Sequence, residues 1–234
     1  MLRKTIKIID KGVDRVVIII SLIFFLICIY AMLDAVKVYY AAGDSSVLKF
    51  KPQGKEDAAV MRELSDDVVA WLSVDGTNID YPVMQGENNS EYINKDPYGE
   101  YSLSGSIFLD SRCDGSFHGD YSLLYGHHME YGAMFGALDE FIDPSYFQSH
   151  KTGKLITPQG EEFTITFFSA LKAEATDKVI FDPPNTTNEQ LLSYLKSKAK
   201  IYEQPAEPQP KLIALSTCQS AETIERMLVF GVLR

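Results

Sequence analysis

A cysteine and an arginine stand on either side of a short polar segment near the end of the chain. Cys218 ends the apolar run of residues 212–218 (LIALSTC), and Arg226 directly precedes a second apolar run, residues 227–233 (MLVFGVL). Two such runs with a short polar connection predict an antiparallel hairpin. Folding it places Cys218 and Arg226 beside each other at one edge of a sheet. A cysteine that ends a strand is often a buried structural residue, and a nucleophilic one needs a nearby base or cation, because the thiolate is the reactive form.

Two of the four histidines follow a predicted strand. His127 and His128 come directly after residues 121–126 (YSLLYG). Successive side chains of a strand point to opposite faces, so this pair does not easily hold one metal ion, and no cysteine or carboxylate spacing completes a zinc site. We therefore predict no metal and no cofactor. One histidine can instead take the thiol proton of Cys218 and later protonate a leaving amine.

The cysteine count leaves one alternative open. Cys28 lies in an apolar segment, which leaves Cys113 and Cys218 in the rest of the chain. A disulfide between these two would silence any chemistry at Cys218. A stabilising disulfide framework in an exported protein usually shows an even number of cysteines at regular spacing, which this chain lacks.

The charge of the chain is unevenly distributed. The net charge is −10, yet residues 1–15 carry five basic residues against two acidic ones, so the remainder is strongly acidic. An acidic globular part argues against a nucleic-acid partner, which requires a basic face. The length of 234 residues and the hydrophobic content of 46% suffice for one core with an additional element at one end.

Residues 16–33 contain no charged side chain. The length of this uncharged stretch is at the lower limit for a membrane-spanning helix. With residues 1–15 as a basic cytoplasmic tail, we expect a single-pass anchor at 16–33, a linker at 34–55 and an extracellular domain at 56–234. A cleaved secretory signal is the alternative, with residues 41–43 (AAG) as its cleavage site. Both interpretations export the domain.

The pattern of the domain predicts a mainly β fold with added helices. Residues 56–72 are expected to form two short helices. Short strands are expected at residues 78–85, 105–110, 121–126, 154–157 and 162–171, followed by the closing hairpin. Many short strands with turn residues between them indicate a closed or nearly closed barrel. Two helices interrupt them, one at residues 134–142 and one that begins with a capping box of Thr187 and Gln190.

Several of these segments, taken together and in order, resemble class B sortases, the membrane-anchored transpeptidases of Gram-positive bacteria. The resemblance rests on residues 69–85 (VAWLSVDGTNIDYPVMQ), 105–110 (GSIFLD), 125–129 (YGHHM), 134–135 (MF) and 215–218 (LSTC) with an arginine downstream. It covers essentially all of residues 64–234. It implies a closed β-barrel of about eight strands, with N-terminal helices and a helix before the last two strands.

The resemblance also implies roles for individual residues. Cys218 matches the nucleophile, His127 the general acid/base, and Arg226 the cation that stabilises the substrate carbonyl as it becomes an oxyanion. A guanidinium is suited to that role because it stays charged at any working pH. Weaker candidates for substrate contacts are Ser216 and Thr217, which flank the nucleophile. The others are Val179 and Ile180, because residues 178–182 match the segment that builds one wall of the substrate groove in class B sortases. His128 is expected to point away from the thiol.

The implied reaction is cleavage of a sorting signal near the C-terminus of an exported protein, at a Thr-Gly or Thr-Asn bond. A thioester would form at Cys218, and an amine of the cell-wall peptide would resolve it. Three alternatives stay open: a hydrolytic cysteine protease, a pilus-polymerising sortase, and a non-enzymatic binding module. Pilus-polymerising sortases typically carry a second, C-terminal span, which this sequence does not show. The chain departs from some class B members at Gln219 and Ser220, where acidic residues stand in those members, and Cys113 matches no family role.

Overall fold

A computed structural model describes residues 2–42, 45–217 and 225–234, with side chains from residue 11 to 37 and again from 46 onward. The chain forms two compact units, residues 1–41 and 42–234. The first unit is helix α1 (Leu2–Ala42). Residues 11–37 of α1 are long and apolar enough to cross a membrane, and none of them is buried within the chain.

The segment expected to be a linker, residues 34–55, is largely helical. Its first part continues α1 to Ala42, and Ser45–Phe50 forms a 3₁₀ helix. Val47 of this 3₁₀ helix is buried, and Lys51 forms an ion pair of 2.6 Å with Asp80. The second unit therefore already has structure at residue 45.

The second unit contains nine strands among its described residues. They are β1 (Val68–Val74), β2 (Asp80–Met84), β3 (Ile107–Leu109), β4 (Tyr121–Gly126), β5 (Thr152–Ile156), β6 (Glu162–Glu174), β7 (Ile201–Tyr202), β8 (Lys211–Thr217) and β9 (Glu225–Leu233). The α-helices are α2 (Pro144–Ser149), α3 (Lys178–Phe181) and α4 (Asn188–Lys198). Further 3₁₀ helices are Ala58–Glu63, Glu91–Ile93, Glu130–Gly132, Gly136–Ile142 and Pro183–Asn185.

Eight of the strands close into a barrel. Their order is β5-β1-β2-β3-β4-β8-β9-β6, and β6 pairs with β5 to complete the circle, while β7 adds to β6 outside it. The pairs β2–β3 and β4–β8 are parallel, and the other pairs are antiparallel. The predicted closed barrel of about eight strands, with α4 before the last two, is confirmed.

One predicted element is wrong. Residues 56–72 were expected to form two short helices, but only the first part is helical, as the 3₁₀ helix Ala58–Glu63, and the chain switches to strand β1 at Val68. Val68, Trp71 and Leu72 have helical spacing, yet both faces of β1 are buried, and a strand buried on both sides is a nearly continuous apolar run. Such a run does not show whether its period is that of a helix or of a strand.

Both faces of the sheet are covered, and each belongs to a different cluster of buried side chains. On β4 and β8, Leu124, Ile213 and Leu215 pack with the 3₁₀ helix Gly136–Ile142 and with α2. The alternate positions, such as Leu123 and Ala214, pack with Leu191 and Leu195 of α4. The capping box predicted for α4 is present, because Thr187 accepts from the Gln190 backbone N–H and the Gln190 side chain accepts from that of Thr187. With both faces packed, the ends of these strands are held in fixed positions.

Candidate active site

The ends of the parallel strands β4 and β8 lie side by side. Gly126, the last residue of β4, pairs with Thr217, the last residue of β8. The next residues in the sequence are His127 and Cys218, and Cys218 lies outside the described residues. Strand β9 begins at the same edge, where the Met227 backbone N–H donates to Thr217 Oγ1 over 3.0 Å. Three strand ends that carry the predicted chemistry therefore meet at one edge of the barrel.

The imidazole of His127 is oriented by a backbone carbonyl. Its Nε2 lies 2.7 Å from the carbonyl oxygen of Ile93. A carbonyl oxygen only accepts, so Nε2 carries the proton and Nδ1 is the nitrogen left to exchange one. The neighbouring Tyr92 holds this carbonyl in place, because its hydroxyl donates to Asp67 Oδ2 over 2.5 Å and its own carbonyl accepts from the Ser106 N–H over 3.0 Å.

The guanidinium of Arg226 lies against two aromatic rings. Its central carbon is 5.8 Å from the ring centroid of Tyr125 and 5.2 Å from that of Phe181. Cation–π contacts of this kind hold a charge without using its N–H donors. The Nε atom is buried and has no hydrogen-bond partner among the described residues. A buried donor without a partner costs stability.

His127 and Arg226 line the same cleft. Its volume is about 450 Å³. The other lining residues are Asn89, Ile93, Phe108, Arg112, Tyr125, Ala175 and Phe181. The cleft thus offers a proton-exchanging nitrogen and a fixed cation on shared walls, the combination needed where a carbonyl is attacked and becomes an oxyanion.

A buried carboxylate lies beneath this cleft. Asp110 is fully buried at the end of β3 and accepts from Arg112 Nη2 over 2.8 Å, from Asn89 Nδ2 over 2.8 Å and from the Tyr125 hydroxyl over 3.1 Å. Burial alone would raise the pKa of Asp110, but the bonds from Arg112 and Asn89 bring it below its usual value. Burial and the negative charge of Asp110 raise the pKa of Tyr125, so this tyrosine stays neutral and continues to donate. The network fixes three cleft residues through one carboxylate.

The four predicted substrate contacts occupy different positions. Ser216 and Thr217 are buried in β8, where Ser216 Oγ donates to the Thr217 carbonyl over 3.1 Å. Ile180 is buried and Val179 is half-buried, both in α3. In the part of the chain that the structure describes, none of the four lines the cleft. Their contact with substrate stays a prediction.

His128 and Cys113 lie away from this cleft. His128 Nε2 is 2.8 Å from Asp139 Oδ2 and lines a different depression. Cys113 is a free thiol whose Sγ lies 3.6 Å from the carbonyl oxygen of Tyr121. Burial raises the pKa of Cys113 to about 11, so it is protonated and unreactive at neutral pH.

Sequence reasoning missed most of the cleft wall. Tyr125 and Asp110 stand inside the segments that carried the resemblance, so their position could have been inferred from it. Asn89 and Arg112 lie in loops, where no periodicity marks them. Phe181 ends α3, inside the segment 178–182 that the resemblance placed at the groove, although only Val179 and Ile180 of that segment were predicted as contacts. The short turn from Asp110 to Arg112 is the one local indication, because it places opposite charges two residues apart after a buried strand.

The comparisons with known proteins agree on one family. Residues 72–234 match the family described as Sortase domain. Sortase B of Staphylococcus aureus is 32% identical over 174 residues, which cover 72% of this chain and 71% of that protein.

Solved structures give the same picture. A class B sortase of Streptococcus pyogenes involved in pilus biogenesis is 40% identical with a TM-score of 0.69, covering 74% of this chain and 96% of that one. The Staphylococcus aureus sortase B-substrate complex is 27% identical with a TM-score of 0.70, covering 80% of this chain and 89% of that one. A family match over more than half of the chain, on a barrel whose strand ends bring a histidine and an arginine into one cleft, makes this protein a member of the sortase family and a class B sortase enzyme.

Proposed function

We propose that this sortase cleaves a C-terminal sorting signal of exported proteins after a threonine, forms a thioester at Cys218 and transfers the protein to an amine of peptidoglycan. The pairing of Gly126 with Thr217 carries the proposal, because it makes His127 and Cys218 the successors of two adjacent residues on parallel strands. Arg226 faces the same cleft as His127. The three residue types supply a nucleophile, an acid/base and a cation.

The proton steps follow from the orientation of His127. Nδ1 accepts the thiol proton, and the thiolate attacks the threonine carbonyl. The oxygen of the tetrahedral intermediate takes up negative charge and receives a hydrogen bond from the guanidinium of Arg226, which lines the cleft. Collapse breaks the C–N bond, and the leaving amine takes the proton from His127. The acceptor amine then gives a proton to Nδ1 as it attacks the thioester, and the departing thiolate recovers that proton.

The N-terminal helix supports a location at the cell surface. Residues 11–37 have the length and composition of a membrane span, and residues 1–15 are basic, as cytoplasmic flanks are. We propose a cytoplasmic tail at residues 1–15, a single span that includes residues 16–33, and a catalytic domain outside the membrane within residues 56–234.

A second candidate acceptor has a specific observation in its favour. The Streptococcus pyogenes structure with 40% identity is of a sortase involved in pilus biogenesis. A pilus-type role for this chain would use the same acyl-enzyme and a lysine side-chain amine of a pilin in place of the peptidoglycan amine.

The test uses the full chain in detergent micelles with fluorescent peptides that carry candidate sorting signals. Mass spectrometry should find the N-terminal fragment, ending in threonine, attached to Cys218, and an added peptidoglycan-type amine should convert it to an amide. A parallel reaction with a lysine-bearing pilin peptide separates the two acceptors. Product partitioning that ignores every amine would indicate a hydrolase, and unchanged turnover in Cys218→Ala would remove Cys218 from the mechanism.

A further inference from the structure

One wall of the cleft is a short segment that holds Arg226 from one side. The segment runs from Asp177 through α3 and the 3₁₀ helix Pro183–Asn185. Its Phe181 stacks on Tyr125, with ring centroids 6.5 Å apart and planes at 13°, and also lies 5.2 Å from the guanidinium carbon of Arg226. The position of residue 181 therefore determines one face of the aromatic cage around Arg226.

Arg112 connects this wall to the buried carboxylate beneath the cleft. Its Nε and Nη2 donate to the two carboxylate oxygens of Asp110 over 2.9 and 2.8 Å. The same guanidinium reaches the wall, where Nη2 donates to the Phe181 carbonyl over 2.9 Å and Nη1 to Asp182 Oδ1 over 3.2 Å. One planar side chain thus joins the buried carboxylate of Asp110 to the wall. Donating to both at once requires the planar fork of a guanidinium, with its five N–H donors.

Asp110 and Arg112 are both charged at neutral pH. The pKa of Asp110 lies below its usual value despite burial, because of the bonds from Arg112, and the bond to Asp110 raises the pKa of Arg112. Only the carboxylate of this ion pair is buried, so moving Arg112 away would leave a buried negative charge without its partner.

The wall is not packed solidly behind Arg112. A second cleft of about 460 Å³ lies there, lined on the wall side by Pro183, Asn185 and Thr186. Two other bonds hold the start of the wall: the Tyr121 hydroxyl donates to the Ile180 carbonyl over 3.1 Å, and the Tyr194 hydroxyl to Asp177 Oδ2 over 2.5 Å. Both act before residue 181. Within the wall, Asn185 Nδ2 also donates to both carboxylate oxygens of Asp182, and the Thr186 hydroxyl donates to the Asp182 carbonyl. Among the described residues, the bonds of Arg112 are therefore the hydrogen bonds that join Phe181 and Asp182 to the barrel.

We propose that Arg112 is a positioning residue, which holds Phe181 against Arg226 and so fixes the direction of the guanidinium. Its effect on turnover rests on the proposed transpeptidation, whereas its effect on the cage does not. Among the described residues, the guanidinium of Arg112 donates to Asp110, Phe181 and Asp182, and its proposed role is to orient Arg226.

The test compares Arg112→Lys with Arg62→Lys, the same substitution at an exposed arginine. Lysine keeps a charge beside Asp110, so the buried carboxylate stays paired, but a single ammonium cannot replace the fork that also reaches Phe181 and Asp182. In ¹⁵N-arginine NMR of the full chain in micelles, the Nε–H resonance of Arg226, identified by its loss in Arg226→Lys, should move towards its unfolded position as the ring contacts weaken. We expect kcat/KM for a sorting-signal peptide to fall ~10-fold, the scale of a misplaced catalytic group.

Arg62→Lys should change neither measurement, and Tyr194→Phe, which frees the start of the wall, should leave the Arg226 resonance in place. If Arg112→Lys does not fold, Asp182→Asn tests the same connection by changing its partner in the wall. The Arg226 resonance should then move in the same direction by a smaller amount. An unmoved Arg226 resonance in the folded variant would overturn the proposal. If the Arg226 resonance moves but the protein processes no sorting signal, the positioning role of Arg112 stands and the proposed function is refuted.

Discussion

Arg226→Lys tests whether the direction of a charge matters in this cleft. Lysine preserves the positive charge and can lie near the rings of Tyr125 and Phe181, so a general attraction for substrate would survive. It does not preserve the guanidinium N–H that is proposed to bond the oxyanion, because only a planar fork fixes the direction of its donors. The substitution therefore separates a charge from a directed hydrogen bond.

The expected magnitude follows from that one donor. Loss of a single hydrogen-bond donor to an oxyanion costs ~10²–10³ in kcat, or about 2.7–4 kcal/mol of transition-state stabilisation. The ammonium of lysine can recover part of this as a point charge, so we expect the lower end, a fall of about 10²-fold in kcat. KM should change much less, because the oxygen gains its charge only as the thiolate attacks.

The assay is steady-state cleavage of a fluorescent sorting-signal peptide by the full chain in micelles, with kcat and KM measured separately. Arg62→Lys is the matched control and should match the wild type. Trp71, the single tryptophan of the chain and a buried one, reports the unfolding midpoint in urea, which shows whether the variant is folded. A folded Arg226→Lys with kcat within about threefold of the wild type would refute the directional role, since threefold is far below the loss of a donor.

Three further predictions concern the nucleophile, the support of His127 and the end of β4. Cys218→Ser should lose nearly all turnover, because a hydroxyl is far less acidic than a thiol. Burial, followed by the bond to Asp67, raises the pKa of Tyr92 to about 12, above its unfolded value near 10. The stability from neutral Tyr92 is complete below pH 10 and lost as the pH rises through 12, so the advantage of the wild type over Tyr92→Phe should shrink by about 2 kcal/mol by pH 12 in urea titrations. Gly126→Ala should lower the unfolding free energy by about 1–3 kcal/mol, because the added methyl group meets Ile107 Cδ1 and the ring of Phe135.

Each of these has its own control. Cys218→Ala sets the background for Cys218→Ser, and a serine variant well above that background would speak against a thiolate nucleophile. In the Tyr92 series the remaining tyrosines titrate in both proteins and cancel, so a difference that stays constant from pH 8 to pH 12 would contradict the raised pKa. Gly54→Ala, where an added methyl meets no atom within 4 Å, controls for Gly126→Ala, and equal stability of the two variants would show that β4 can relax.

The sequence predicted the barrel strands well where turn residues mark the beginning and the end of a strand. The prediction for β4 matches in both bounds, and those for β2, β3, β5 and β6 differ by a few residues at their ends. β1 was missed because burial on both faces removes the alternation that distinguishes a strand. β7, with two residues, is too short to produce any pattern.

The functional site also divides into residues whose positions the sequence predicts and residues whose positions it does not. Strand ends could be predicted, because turn residues and apolar runs mark where β4 stops and β9 starts, and this brings His127 and Arg226 to one edge. Most of what surrounds them could not, since Asn89 and Arg112 belong to loops whose contacts cross long stretches of sequence. The resemblance placed residues 178–182 at the groove, but it did not predict that Phe181 stacks on Tyr125 and lies against Arg226. Arg112 and Asp182 are 70 residues apart and meet only because the barrel brings the two loops together.

The residues that act and the residues that orient them therefore depend on different levels of the structure. His127 is placed by the end of β4, but the choice of Nδ1 as its working nitrogen depends on the carbonyl of Ile93. The neighbouring Tyr92 holds this carbonyl in place within the 3₁₀ helix Glu91–Ile93. Arg226 is placed by the start of β9, but its orientation depends on a wall tied down by Arg112. A sortase with the same strand ends and different loops would keep the chemistry and change its efficiency, because strand register fixes which residues meet while the loop contacts fix the angle at which they do.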